Sequence, residues 1–210
     1  MDINTKDMIN RRRNILGVTG TSPIDWESIA RGMLNDSNAT LFAIPENVPI
    51  VASDYLFHHR TKLLSVTLKD DITSIGAGCF YGCSNLRSIE IPSSVTHINS
   101  TAFNKCSSLT EVDLPNSLLQ LGNQAFRECS GLTSITIPSL VKKIDNMCFY
   151  SCGNIRTMVC EPTTPPTLGI NALPSNATIY VPDASVDAYK AANNWSAAAS
   201  RIHPISELGG

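Results

Sequence analysis

Long apolar runs are missing from this chain: no stretch reaches the ~18 consecutive apolar residues of a membrane-spanning helix. Charge is sparse as well. Only 16% of the 210 residues are charged and the formal net charge is -2, which gives no whole-molecule attraction to nucleic acid or to an anionic membrane. With 42% hydrophobic residues, the composition also excludes a disordered chain. Near the N-terminus, Arg11-Arg12-Arg13 precedes Asn14-Ile15-Leu16-Gly17, a segment too short and polar for the apolar region of a signal peptide. The expectation is a soluble protein without a Sec-type export signal. Catalytic sequence patterns are absent too: no Gly-x-Ser-x-Gly, phosphate-binding glycine loop, His-Glu-x-x-His or dinucleotide fingerprint occurs. The chain is therefore expected not to be an enzyme and to use no cofactor.

What is present is one pattern repeated. Phe80, Phe103, Phe126 and Phe149 are spaced by 23 residues, as are Cys83, Cys106, Cys129 and Cys152, and Leu86, Leu109, Leu132 and Ile155. Such a period marks a solenoid of stacked units. In Leu86-Arg87-Ser88-Ile89-Glu90-Ile91-Pro92, Ile89 and Ile91 alternate with polar neighbours, which predicts a half-buried strand closed by proline. Successive strands then pair in parallel about 4.8 Å apart. The Ala-Phe pairs (Ala102-Phe103, Ala125-Phe126) are placed on the opposite wall in a single helical turn, with Phe inside. Counting the degenerate units gives seven strands in one stack.

Residues 1–38 do not follow the pattern and are expected to be an N-terminal helical cap or an attachment segment. Trp26, Ile29, Ala30 and Met33 give a helix from Asp25 to Leu34 one apolar face. The solenoid is assigned to 39–162. Thr163-Thr164-Pro165-Pro166 then breaks the pattern, and 163–210 is read as a capping module with strand Ala177–Pro182, helix Ser185–Ala192 and Trp195.

Seven cysteines are an odd number, and four obey the period. A column stacked along an axis does not converge on one metal ion, and parallel Cβ vectors disfavour a disulfide. Buried free thiols are expected, and no metal site. His58 and His59 are predicted to diverge as a surface pair. The informative surface is the outward strand face: Arg87, Ser88, Glu90, Glu111, Asp113, Ser134, Thr136 and Arg156, a hydroxyl-rich field with an acidic centre. Solenoid sheets commonly present the ligand surface. Ser and Thr are equally ordinary strand-surface residues, and acids also protect an exposed sheet from aggregation.

These columns resemble the BspA-like leucine-rich repeat family, whose unit reads Ala-Phe-x-x-Cys-x-x-Leu-x-x-Ile-x-Ile-Pro-x-Ser-Val; Ala102 to Val112 with Pro115, and Ala125 to Val141, match it closely. The ending Ile179-Tyr180-Val181-Pro182 … Tyr189 … Trp195 is similar to the closing module of such proteins from gut bacteria. The resemblance implies a leucine-rich repeat solenoid. Its form is a right-handed stack of parallel short strands with short helical turns opposite, a small helical N-terminal cap and a strand-helix C-terminal cap. It further implies a cell-surface or extracellular protein of recognition or adhesion, binding a protein or glycan on the strand face. Residues 11–33 also weakly resemble leaders ahead of such repeats in prophage and phage structural proteins. That leaves a second reading: a structural or host-recognition component of a phage tail or similar particle, attached through 1–38. Otherwise the chain is cytoplasmic.

Overall fold

The computed structural model describes residues 41–43, 54–68 and 70–209; the segment 1–38, with its expected cap or attachment role, lies outside them. The strands in chain order are β1 (Leu41–Ala43), β2 (Ser65–Thr67), β3 (Ser74–Ile75), β4 (His97–Ile98), β5 (Gln120–Leu121) and β6 (Ser134–Ile137). They continue as β7 (Lys143–Ile144), β8 (Thr157–Cys160), β9 (Thr167–Leu168), β10 (Thr178–Val181) and β11 (Ile202–Pro204). Among the described residues, one α-helix, α1 (Val186–Ala191), stands with three 3-10 turns at 183–185, 196–201 and 205–207.

Every strand pairing among the described residues is parallel, and most partners lie one 23-residue rung apart, as in Ser134 with Thr157 and Ile135 with Met158. Inward residues stack in columns and are buried: Phe57, Phe80, Phe103, Phe126 and Phe149 are at most 1% exposed. Their rings lie nearly parallel, with centroids 5.1 Å apart along the first four and 5.6 Å between Phe126 and Phe149. A single rung could not offset the ordering entropy of its residues, at ~1–2 kcal/mol each. Stacking hides both faces of Phe80, Phe103 and Phe126 and makes one continuous core.

Three features depart from the pattern read in the sequence. First, the expected single stack of seven strands is divided. On the Ile-x-Ile-Pro wall, β1 pairs with β2, and β6, β8, β10 and β11 form a four-stranded sheet. Between those sheets the rungs at 88–91 and 111–114 share only one bridge, Glu90 with Asp113. The surviving bridge joins the two acids, so their mutual repulsion is not what interrupts the ladder.

Second, a further wall carries the five-stranded sheet β3-β4-β5-β7-β9. Each of its strands is two residues long, too short for an alternation to show in sequence. A proline turn leads into it: the amides of Val95, Leu118 and Val141 donate to the carbonyls of Pro92, Pro115 and Pro138.

Third, the Ala-Phe wall holds turns, not helices. Amides at the Phe column donate to the next rung, Phe80 N to Ala102 O at 2.7 Å and Phe103 N to Ala125 O at 2.8 Å. Those amides are unavailable to a helix. The alternate amides close four-residue turns, as Tyr81 N does to Gly78 O. Two residues per rung take positive φ to allow this, for example Thr101 (56°) and Lys105 (65°), or Gln124 (57°) and Glu128 (61°).

Candidate ligand-binding face

All eight residues of the expected face are exposed: Ser88, Glu90, Glu111, Asp113, Ser134 and Thr136 by alternation along the rung, and Arg87 and Arg156 in the position that precedes it. The structure divides them. Ser88, Glu90, Glu111 and Asp113 line one trough of about 760 Å³, floored by Ile89, Ile91, Val112 and Leu114 and closed at one side by Pro92 and Pro115. A second hollow of about 430 Å³ continues it toward β2, sharing Ser88, Ile89, Glu90 and Pro92. Ser134 and Thr136 stand on β6, in the continuous sheet beyond the trough. Arg87 and Arg156 lie outside both hollows. Arg156 is turned to its own rung, where its Nη1 donates to the Gly153 carbonyl.

Asp70, which the sequence reading passed over, lines both hollows. It follows the degenerate first rung, where the repeat columns are hard to align, so its only signal was an acidic pair in a turn. With it the trough holds four carboxylates. Among the described residues, no Lys, Arg or His lines either hollow. The ion pairs among the described residues lie elsewhere, at Arg127–Glu128, Lys143–Asp145 and His203–Glu207. Four unpaired carboxylates over an apolar floor make a surface of one sign, and such a concavity focuses its field on cations.

The cysteine column contributes scaffold. All seven thiols are free and buried. Cys83, Cys106, Cys129 and Cys152 donate S–H to the carbonyls of Phe57, Phe80, Phe103 and Phe126, at 2.9–3.2 Å. Burial pushes the thiols up, Cys83 and Cys152 to about 12. Among the described residues, no group of three or more metal-ligating side chains converges.

The histidine pair behaves differently from the expectation. His58 and His59 do not diverge; their ring centroids are 4.2 Å apart at an interplanar angle of 81°. Both contact Tyr81, because the left-handed backbone at His59 (φ 57°) turns its ring back toward the next rung.

Comparison with known proteins places this geometry. The description "BspA type Leucine rich repeat region" matches residues 27–156 in six copies, starting within the 1–38 segment. A search of the curated proteins found no match. Among solved structures, the chain is similar to a leucine-rich repeat protein of T. pallidum at 24% identity and TM-score 0.56, over 68% of this chain and 74% of that one. It is similar to a leucine-rich repeat protein from Bacteroides ovatus at 28% identity and TM-score 0.51, over 70% of this chain and 44% of that one. The pneumococcal vaccine antigen PcpA shares the fold at 16% identity and TM-score 0.50, over 71% of this chain and 42% of PcpA. The chain thus spans less than half the length of the latter two.

Proposed function

This chain belongs to the BspA-type leucine-rich repeat family, and we propose that it is a non-enzymatic recognition module that binds a ligand on its strand face. The observation that carries this reading is the trough: four carboxylates with no cationic partner among the described residues, opening beside the stacked core. Its sign favours a polypeptide segment bearing Lys or Arg over a neutral glycan. The apolar floor gives such a segment something to cover besides charge. Display at a cell surface is part of the same proposal.

The decisive variant is Glu90→Lys with Asp113→Lys. Both side chains are exposed, and surface changes of this kind usually move stability by less than ~0.5 kcal/mol each. An exposed ion pair contributes ~0.2–1 kcal/mol, and reversing a charge replaces attraction by repulsion. Binding of a decalysine peptide at low salt, measured by calorimetry, is therefore expected to weaken about tenfold or more while the melting temperature holds. The wild-type affinity should also fall steeply between 20 and about 300 mM salt. Equal binding by the variant would remove the trough from consideration. A neutral oligosaccharide bound equally by both proteins would move the site onto the Ser134 and Thr136 field.

A further inference from the structure

Away from the trough, the turn wall begins with a cluster of four rings. Tyr55 and His58 meet edge-to-face at 5.6 Å, and His58 stacks on Tyr81 at 5.0 Å and 19°. His59 meets Tyr81 at 5.1 Å and 80°. The far side of Tyr81 is engaged by the Lys105 ammonium, 5.6 Å from the ring centroid. Tyr55 is 57% exposed, so this is a surface assembly.

The next rung makes room for it. Gly78 and Gly82 occupy the two left-handed positions of their rung, at φ 59° and 72°. A Cβ on Gly78 would fall 2.4 Å from a ring carbon of Tyr55, and one on Gly82 would fall 2.6 Å from His59 Nδ1. The equivalent positions of the following rungs carry Thr101 and Lys105, Gln124 and Glu128, Met147 and Ser151. Only the Gly78 and Gly82 rung, among those, lets the preceding rung's rings settle on its backbone. The cluster also lies where β2 has no strand partner on its C-terminal side. The two rungs are joined there by the Phe57–Phe80 stack and by the amides of Tyr55, Phe57 and His59 donating to Ala77, Cys79 and Tyr81.

We propose that Tyr55, His58, His59 and Tyr81 form an acid-released clasp between the 54–62 rung and the 77–83 rung. Protonation would place a charge on His58 against an imidazole 4.2 Å away, and on the face of Tyr81 opposite the Lys105 ammonium. The charged groups around the cluster are Lys105 from the third rung and, on its own rung, Arg60 and Asp54. Asp54, the described carboxylate of that rung, is turned to the next rung, where it accepts the Ala77 amide at 2.7 Å. Partial burial, and then His59, hold His58 below its ordinary value. A histidine with a depressed folded value contributes stability that is present above the unfolded value of 6.5 and is lost as pH falls through the folded one.

The test is amide exchange of the full chain, corrected for intrinsic rate, at pH 7.5 and 5.0. Opening at Tyr55, Phe57 and His59 is expected to rise about threefold or more at the lower pH, while Ile135 and Met158 stay unchanged. His58→Gln with His59→Asn should flatten that response. A wild-type cluster indifferent to pH, or an equal response in the double variant, overturns the proposal. Should the variant fail to fold, the wild-type pH series with histidine ring-proton titration still decides it.

Discussion

At the residue scale the cysteine column explains itself through the phenylalanine carbonyl, which has two lone pairs to satisfy. Phe80 O accepts the Cys83 amide of its own turn at 3.1 Å, and its second acceptance comes from the Cys106 thiol at 3.2 Å. A methyl group would fill the space and leave that site empty. The same burial has a consequence at high pH. Thiols held up to about 12 remain protonated in the fold, whereas in the unfolded chain they ionise near 9.0. Stability is therefore complete below pH 9 and is lost as pH rises above it. At pH 10 each thiol costs about 1.4 kcal/mol. Seven such thiols together reach the ~5–15 kcal/mol of a whole domain. Under reducing conditions, circular dichroism should show cooperative alkaline unfolding between about pH 9 and 10.5; a fold intact at pH 11 would contradict the linkage. Ellman titration at pH 8 without reductant should find seven thiols only after denaturation.

Elements were legible where a period wrote them and illegible where long-range hydrogen bonds did. The Ile135-x-Ile137 and Met158-x-Cys160 strands follow directly from alternation. The turn wall does not: Gln124, Glu128 and Met147 carry no glycine or asparagine signal, yet each is left-handed with its own amide committed to the next rung. Likewise, the trough's four acids were three-quarters readable, and Asp70 was lost with the column alignment. At the C-terminus the expected strand, helix and Trp195 are present, but their chemistry lay beyond sequence. Six carbonyls of the last rung accept side-chain donors 22–29 residues further along the chain: Pro162 from Tyr189, Thr163 from Ser185, Pro166 from Trp195, Leu168 from Asn194, and Pro174 and Ala177 from Arg201. Side chains thus satisfy carbonyls that another rung's amides would otherwise bond. Tyr189→Phe keeps the ring and strips the 2.8 Å bond to a buried carbonyl, with an expected loss of about 1–3 kcal/mol in denaturant unfolding. No loss would show that the module closes the stack by packing alone.

For the whole molecule, the stack is quasi-one-dimensional, so each rung is only as secure as its joints with two neighbours. Those joints are unequal. From residue 134 onward the strand wall is a continuous ladder, β6 to β8 to β10 to β11. Toward the N-terminus the same wall falls to the single Glu90–Asp113 bridge, although the core columns run on unbroken. Buried area therefore stays similar along the axis while backbone pairing does not, and local opening should follow the pairing. Native-state amide exchange is expected to leave Ile135, Met158 and Ile179 protected near the global limit, with Ile89 and Val112 exchanging about tenfold faster or more. Uniform protection would mean that core stacking alone sets rung stability. If the gradient holds, the acidic trough occupies the stretch of wall least tied to its neighbours. A cationic segment laid across Glu90, Glu111 and Asp113 would then bridge two rungs that share a single bridge on this wall. Saturating decalysine should accordingly slow exchange at Ile89 and Val112 while leaving Ile179 untouched, a local signature that charge screening by salt would not reproduce.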